Sequence, residues 1–157
     1  MGGRAGCGSS EPVGRARQSP SSPEWPSPVV GCPVARRVTT TFPPAVGSVA
    51  LARQFIRELE IGPTVMPTVE LLVSELVTNA VVHGTGEVGL SVRLAEKIRV
   101  AVADKSPQRP RLAPSVGEPG PHGYGMFLVE LLAEAWGIES TATGKAVWFE
   151  VLLDAPP

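Results

Sequence analysis

No apolar run in the 157-residue chain approaches the roughly 20 residues that a membrane-spanning helix needs. The N-terminus also lacks the basic-then-apolar order of a secretory signal, so a cytoplasmic protein with no membrane partner is expected. An excess of charge of one sign is missing too. With 14 Lys and Arg against 15 Asp and Glu, the formal net charge is −1, which fits neither a nucleic-acid polycation nor an acidic tail. Cysteine is scarce: Cys7 and Cys32 have no CxxC or Cys/His partners, so they offer no metal site and read as incidental thiols. Nowhere does Gly-x-x-x-x-Gly-Lys-Ser/Thr occur, which excludes a P-loop.

What is present divides into two parts. Residues 1–33 hold six Gly, six Pro, six Ser and three Arg with almost no aliphatic periodicity. Such a segment cannot bury enough surface to offset its chain entropy and reads as a disordered extension. It fits either a partner-binding arm or a start codon placed too far upstream. Order is expected from about Val34, and residues 34–157 have the length and hydrophobic content of one globular domain.

Within that domain the periodicity alternates between classes. Residues 38–42 read as a short strand ended by Pro43 and Pro44. Ser48 is placed to cap a helix carried by Val49, Ala52, Phe55, Ile56 and Leu59 and stopped by Gly62-Pro63. A second helix is expected from Pro67 to His83, with Gly84 as its terminator. Val88, Leu90, Val92 and Leu94, then Ile98, Val100 and Val102, alternate with small or polar residues across a turn at residues 95–97, as in an antiparallel pair with one buried face. A Pro-rich loop spans residues 107–121, and Gly123 opens a third helix reaching about residue 134. Residues 136–141 and 146–153 supply a second strand pair. The fold class is therefore α+β: a two-layer sandwich with a mixed, mostly antiparallel sheet and helices on one face.

The second helix carries SELVTNAVVHG, residues 74–84. Glu75, Asn79 and His83 recur every four residues, so they form one narrow polar stripe, while Leu72, Val73, Leu76, Val77 and Ala80 cover the side that meets the sheet. A carboxylate suits general-base work, and an amide oxygen suits a hard cation that keeps most of its waters. The same spacing also fits a solvated helix edge. Asp104, placed directly after a strand, is suited to accept a hydrogen bond from an exocyclic amine with no counter-charge required; it equally fits a strand-end turn. In HGYGMFLVELLAEAWG, Gly123 and Gly125 precede a helix of apolar spacing. Glycines there let backbone amides approach an anion, and they also suit a simple hinge.

In this order and spacing, Glu-x-x-x-Asn, a strand-end Asp and Gly-x-Gly-[Met/Leu] closely resemble the Bergerat-type ATP-binding domain of DNA gyrase, heat-shock 90 chaperones and sensor histidine kinases. SELVTNAVVHG, DKSPQRP, GYGMFLVELLAEAWG and GKAVWFE further resemble the stand-alone anti-sigma-factor serine kinases of RsbW and SpoIIAB type, in their actinobacterial subgroup. The resemblance runs from about Val38 to Leu153.

It implies ATP and Mg2+ as cofactors. Glu75 is then the general base, Asn79 the magnesium ligand and Asp104 the acceptor for the adenine amine. Gly123, Gly125 and Met126 lie at the phosphate-facing helix start. His83 and His122 flank the site, where pocket-shaping or solvated roles suit them better than chemistry. Trp136 and Trp148 read as packing residues, and Arg109 and Arg111 as solvated loop residues. The implied function is an ATP-dependent protein serine/threonine kinase that phosphorylates an anti-anti-sigma factor, sequesters a sigma factor and controls transcription indirectly. A homodimer is the family expectation, and the strand at Val38 offers an edge for it. DKSPQR replaces the usual Asp-x-Gly-x-Gly, so the lid hinge is expected to be stiff. GKAVWFE lacks the threonine that helps hold adenine in several relatives. The alternative is a non-catalytic, nucleotide-gated or nucleotide-independent binding module. No second helical segment carries a phosphoacceptor histidine, so a complete sensor kinase is not expected.

Overall fold

Among the described residues, three helices and five strands follow one another as β1 (Arg36–Phe42), α1 (Ser48–Arg57), α2 (Met66–His83), β2 (Val88–Leu94), β3 (Lys97–Asp104), α3 (Gly125–Leu132), β4 (Ala135–Ser140) and β5 (Lys145–Leu152). This computed structural model describes residues 35–108 and 125–153. The extension at residues 1–33, most of the 107–121 loop, Arg109, Arg111, His122 and Gly123 lie outside the described residues.

The sheet order is β1-β2-β3-β5-β4. Every described pairing is antiparallel, so the expected mixed sheet is corrected. Short turns reverse the chain between β2 and β3 and between β4 and β5, and this leaves β5 running opposite to β3 where it docks. Strand alternation then sorts the residues. Val88, Leu90, Val92, Ile98, Val100, Val102, Val147 and Phe149 are buried in the main core. The α2 residues Val69, Leu72, Val73, Leu76, Val77 and Ala80 fill that core from the helical side, and α2 packs on β2 and β3. Each such Val or Leu stabilises the fold by about 1.5–3 kcal/mol relative to an exposed side chain. None of the described helices is long and apolar enough to cross a membrane.

The α1 cap differs from expectation, while α2 ends at Gly84 as expected. Gly47, not Ser48, is the N-cap of α1, because the Ser48 hydroxyl donates instead to the Pro43 carbonyl at 2.6 Å and ties the β1 exit to the helix. Gly84 ends α2 with φ −86° and ψ −176°, an extended conformation rather than a left-handed one. Its side-chain-free Cα is required by space: an added Cβ would lie 2.3 Å from the Ala80 carbonyl oxygen and 2.7 Å from Asp104 Cγ. The third helix is also shorter than expected, ending at Leu132.

The two described tryptophans, Trp136 and Trp148, occupy different faces. Trp136 joins the main core. Trp148 packs with Ala101 and Ala135 in a separate cluster, with the Arg99 guanidinium 3.8 Å above its ring.

Candidate functional site

Glu75 and Asn79 stand one turn apart on α2, both half-buried. Opposite them is Gly125, the first residue of α3. An added Cβ at Gly125 would stand 2.9 Å from Glu75 Oε2 and 3.3 Å from Asn79 Nδ2. With Glu75 in its present place, the α3 N-terminus reaches the polar stripe because residue 125 has no side chain. Helix N-termini carry partial positive charge and free amides, so a carboxylate, an amide and an anion-favouring backbone end converge at this point.

The loop after α2 links this corner to Asp104. Gly84 packs against the Asp104 side chain, and the Lys105 N–H donates to the Thr85 carbonyl at 2.8 Å. Gly86, with φ +72°, lies under the Lys105 side chain, where a Cβ would come within 2.6 Å of Cδ. Gly144 closes the other flank, its imagined Cβ 2.0 Å from the Asp104 carbonyl oxygen. Two glycines, Gly84 and Gly144, thus let backbone crowd around Asp104, while Gly86 makes room for its neighbour Lys105.

Asp104 has a counter-charge beside it. Lys145 is its cross-strand partner, and Lys145 Nζ lies 3.0 Å from Oδ1 and 2.9 Å from Oδ2. The Ser106 N–H also donates to Oδ1 at 2.7 Å. Asp104 and Lys145 are 6% and 7% exposed, so burial makes pairing necessary for both. Sequence reasoning missed Lys145 although a signal existed: it falls in phase with Val147 and Phe149, on the buried side of β5, as Asp104 does with Val100 and Val102.

The remaining candidates separate. His83 is the exposed last residue of α2. Met126 is 1% exposed and belongs to the main core, so its side chain contributes packing under the site. Among the described residues no group of three or more His, Cys, Asp or Glu side chains is placed to hold a metal ion. A cation held by one amide oxygen, with water and phosphate completing its shell, still fits this donor set, as magnesium commonly binds that way.

No curated protein matches this chain. Among solved structures it is similar to the RsbU and RsbW domains of Rv1364c from Mycobacterium tuberculosis, at 19% identity and a TM-score of 0.59. That similarity covers 77% of this chain but 33% of the other, so this chain spans about a third of the length of that solved chain. Residues 42–151, a stretch including Glu75, Asn79, Asp104 and Lys145, match the histidine kinase-like ATPase domain, and the chain belongs to that family.

Proposed function

We propose that the protein binds Mg-ATP between α2, α3 and the β3 end, and transfers the γ-phosphoryl group to a serine of an anti-anti-sigma partner. Support comes chiefly from the close approach of Gly125 to Glu75 and Asn79. It brings a base, a metal-binding amide and a phosphate-favouring helix end to one place. Family membership supports nucleotide binding, and the RsbW domain named in the similar structure supports the regulatory partner.

In this reading Asp104 accepts a hydrogen bond from the adenine amine, and the α3 amides face the phosphates. Asn79 would hold magnesium, which neutralises charge on the phosphate oxygens when bound. Glu75 accepts the serine hydroxyl proton as its oxygen bonds to the γ-phosphorus. The bond from that phosphorus to the bridging oxygen breaks, and ADP leaves. The phosphorylated partner releases the regulator, which then sequesters a sigma factor. β1 lies at the sheet edge, and pairing of that edge with a second copy would make the homodimer.

A second reading is favoured by the Lys145 contact: Asp104 is already engaged, which suits a binding module whose partner affinity, rather than catalysis, responds to nucleotide. Calorimetric titration of Mg-ATP into wild type, Asn79→Ala and Asp104→Asn tests the site. Magnesium-dependent binding weakened in both variants is expected, and absence of wild-type binding would overturn it. Label transfer from γ-labelled ATP to a partner serine, lost in Glu75→Ala, separates the kinase from the binding module.

A further inference from the structure

Among the described residues, Asp104 has three polar contacts. Ser106 N–H and Lys145 Nζ meet Oδ1 at 2.7 and 3.0 Å, and Nζ meets Oδ2 at 2.9 Å. A carboxylate has about four acceptor directions, so one remains, on Oδ2. The ammonium group has three donors, and its three oxygen neighbours are both Asp104 oxygens and the Ser106 carbonyl, the last at 3.5 Å. Lys145 is therefore turned inward, toward Asp104 and its turn.

We propose that Lys145 is a positioning residue that sets base selectivity: it holds Asp104 as a fixed, charged, acceptor-only group with one open direction. This rests on the nucleotide reading above and adds to it. A purine with an amine at C6 presents a donor to that direction. A purine with a carbonyl at C6 presents a second acceptor, and two facing acceptors leave a buried polar group unpaired. Gly84 packs against the Asp104 side chain and Gly144 against its backbone carbonyl, so the residue is enclosed on both flanks. Without the lysine the carboxylate loses the one contact that bridges both of its oxygens, its acceptors are no longer held toward the base, and the distinction between the two purines narrows.

The test is titration of the full chain with Mg-ATP and Mg-ITP, for wild type, Lys145→Met, Lys145→Gln and Lys145→Arg. Glutamine keeps a donor toward Asp104, so it reads the charge even where methionine disturbs folding. Wild type and Lys145→Arg are expected to prefer ATP by roughly 10- to 100-fold, the range for a hydrogen bond to a charged group. Lys145→Met and Lys145→Gln are expected to fall to within about threefold of parity. Equal weakening of both nucleotides, with the wild-type ratio kept in Lys145→Gln, would overturn the inference and leave the nucleotide site standing. A wild-type chain that binds neither nucleotide would overturn both.

Discussion

Gly125, at the start of α3, faces Glu75, on α2, so closely that a Cβ on the glycine would stand 2.9 Å from Oε2. The contact is with the far end of a flexible side chain, so a methyl group can be admitted by moving the carboxylate. Gly125→Ala is therefore expected to keep or slightly raise thermal stability, since alanine favours a helix over glycine by up to about 1 kcal/mol. Partner phosphorylation should fall by at least about tenfold, because displacement of a catalytic group costs rate far more than stability. Thermal unfolding and label transfer on the same sample check both halves.

Lys145 and Asp104 make the opposite case, where loss of one partner is felt by the whole domain. Lys145→Met leaves a buried carboxylate without its counter-charge, and breaking such a pair costs about 3–5 kcal/mol. Lys145→Met combined with Asp104→Asn removes both charges and should recover most of that loss. Urea unfolding of wild type, both single variants and the double variant measures the coupling directly. Additive single effects would show that the pair contributes no coupling to stability.

Much of this arrangement was legible in the sequence because its periodicities are clean. The alternation from Val88 to Leu94 and from Ile98 to Val102 carries the central hairpin, and the four-residue repeat of Glu75 and Asn79 carries the stripe. What escaped were tertiary facts. Lys145 was overlooked because strand register, which no local pattern encodes, decides that it faces Asp104. Gly84 was legible as the helix terminator, but the reason it is glycine, Asp104 packed against it, was not. The Ser48 hydroxyl donates to the Pro43 carbonyl, and no side-chain cap accepts from the helix amides.

A pH-sensitive contact lies away from the site, where Arg57 at the end of α1 grips Glu70 of α2. Its Nε and Nη2 donate to the two carboxylate oxygens at 2.7 and 2.9 Å. This hydrogen bonding, against a smaller opposing effect of burial and with added attraction from Arg57 and Arg53, holds Glu70 below its ordinary range. The same bond raises Arg57, which stays charged throughout. A depressed carboxylate contributes stability above its unfolded value of about 4.3 and loses it as pH falls through the lower folded value. Wild type should therefore melt above Glu70→Gln at pH 6, with the gap closing below that window. Because the Arg57 side chain is 54% exposed, added salt should narrow the gap at pH 6 as well. Melting curves of both proteins across pH, at low and high salt, check the sign.

On the helix-free face, Trp148 is framed by two small cross-strand partners, Ala101 on β3 and Gly137 on β4. A Cβ at Gly137 would come within 2.8 Å of Cζ2 and 3.0 Å of Nε1, so the indole lies where that methyl group would be. Above the ring sits Arg99, itself paired with Glu139 and Glu150 at 3.1 and 3.2 Å. Gly137→Ala must then push the ring toward Arg99 or out of its slot, and overpacking of this kind costs about 1–3 kcal/mol. The cause is the ring rather than the backbone, so the same substitution in a Trp148→Leu background should cost little, because the smaller side chain vacates the overlap. Denaturant unfolding of the four proteins measures this. An equal cost in both backgrounds would place the strain in the β4 backbone and not in the meeting of Gly137 with Trp148.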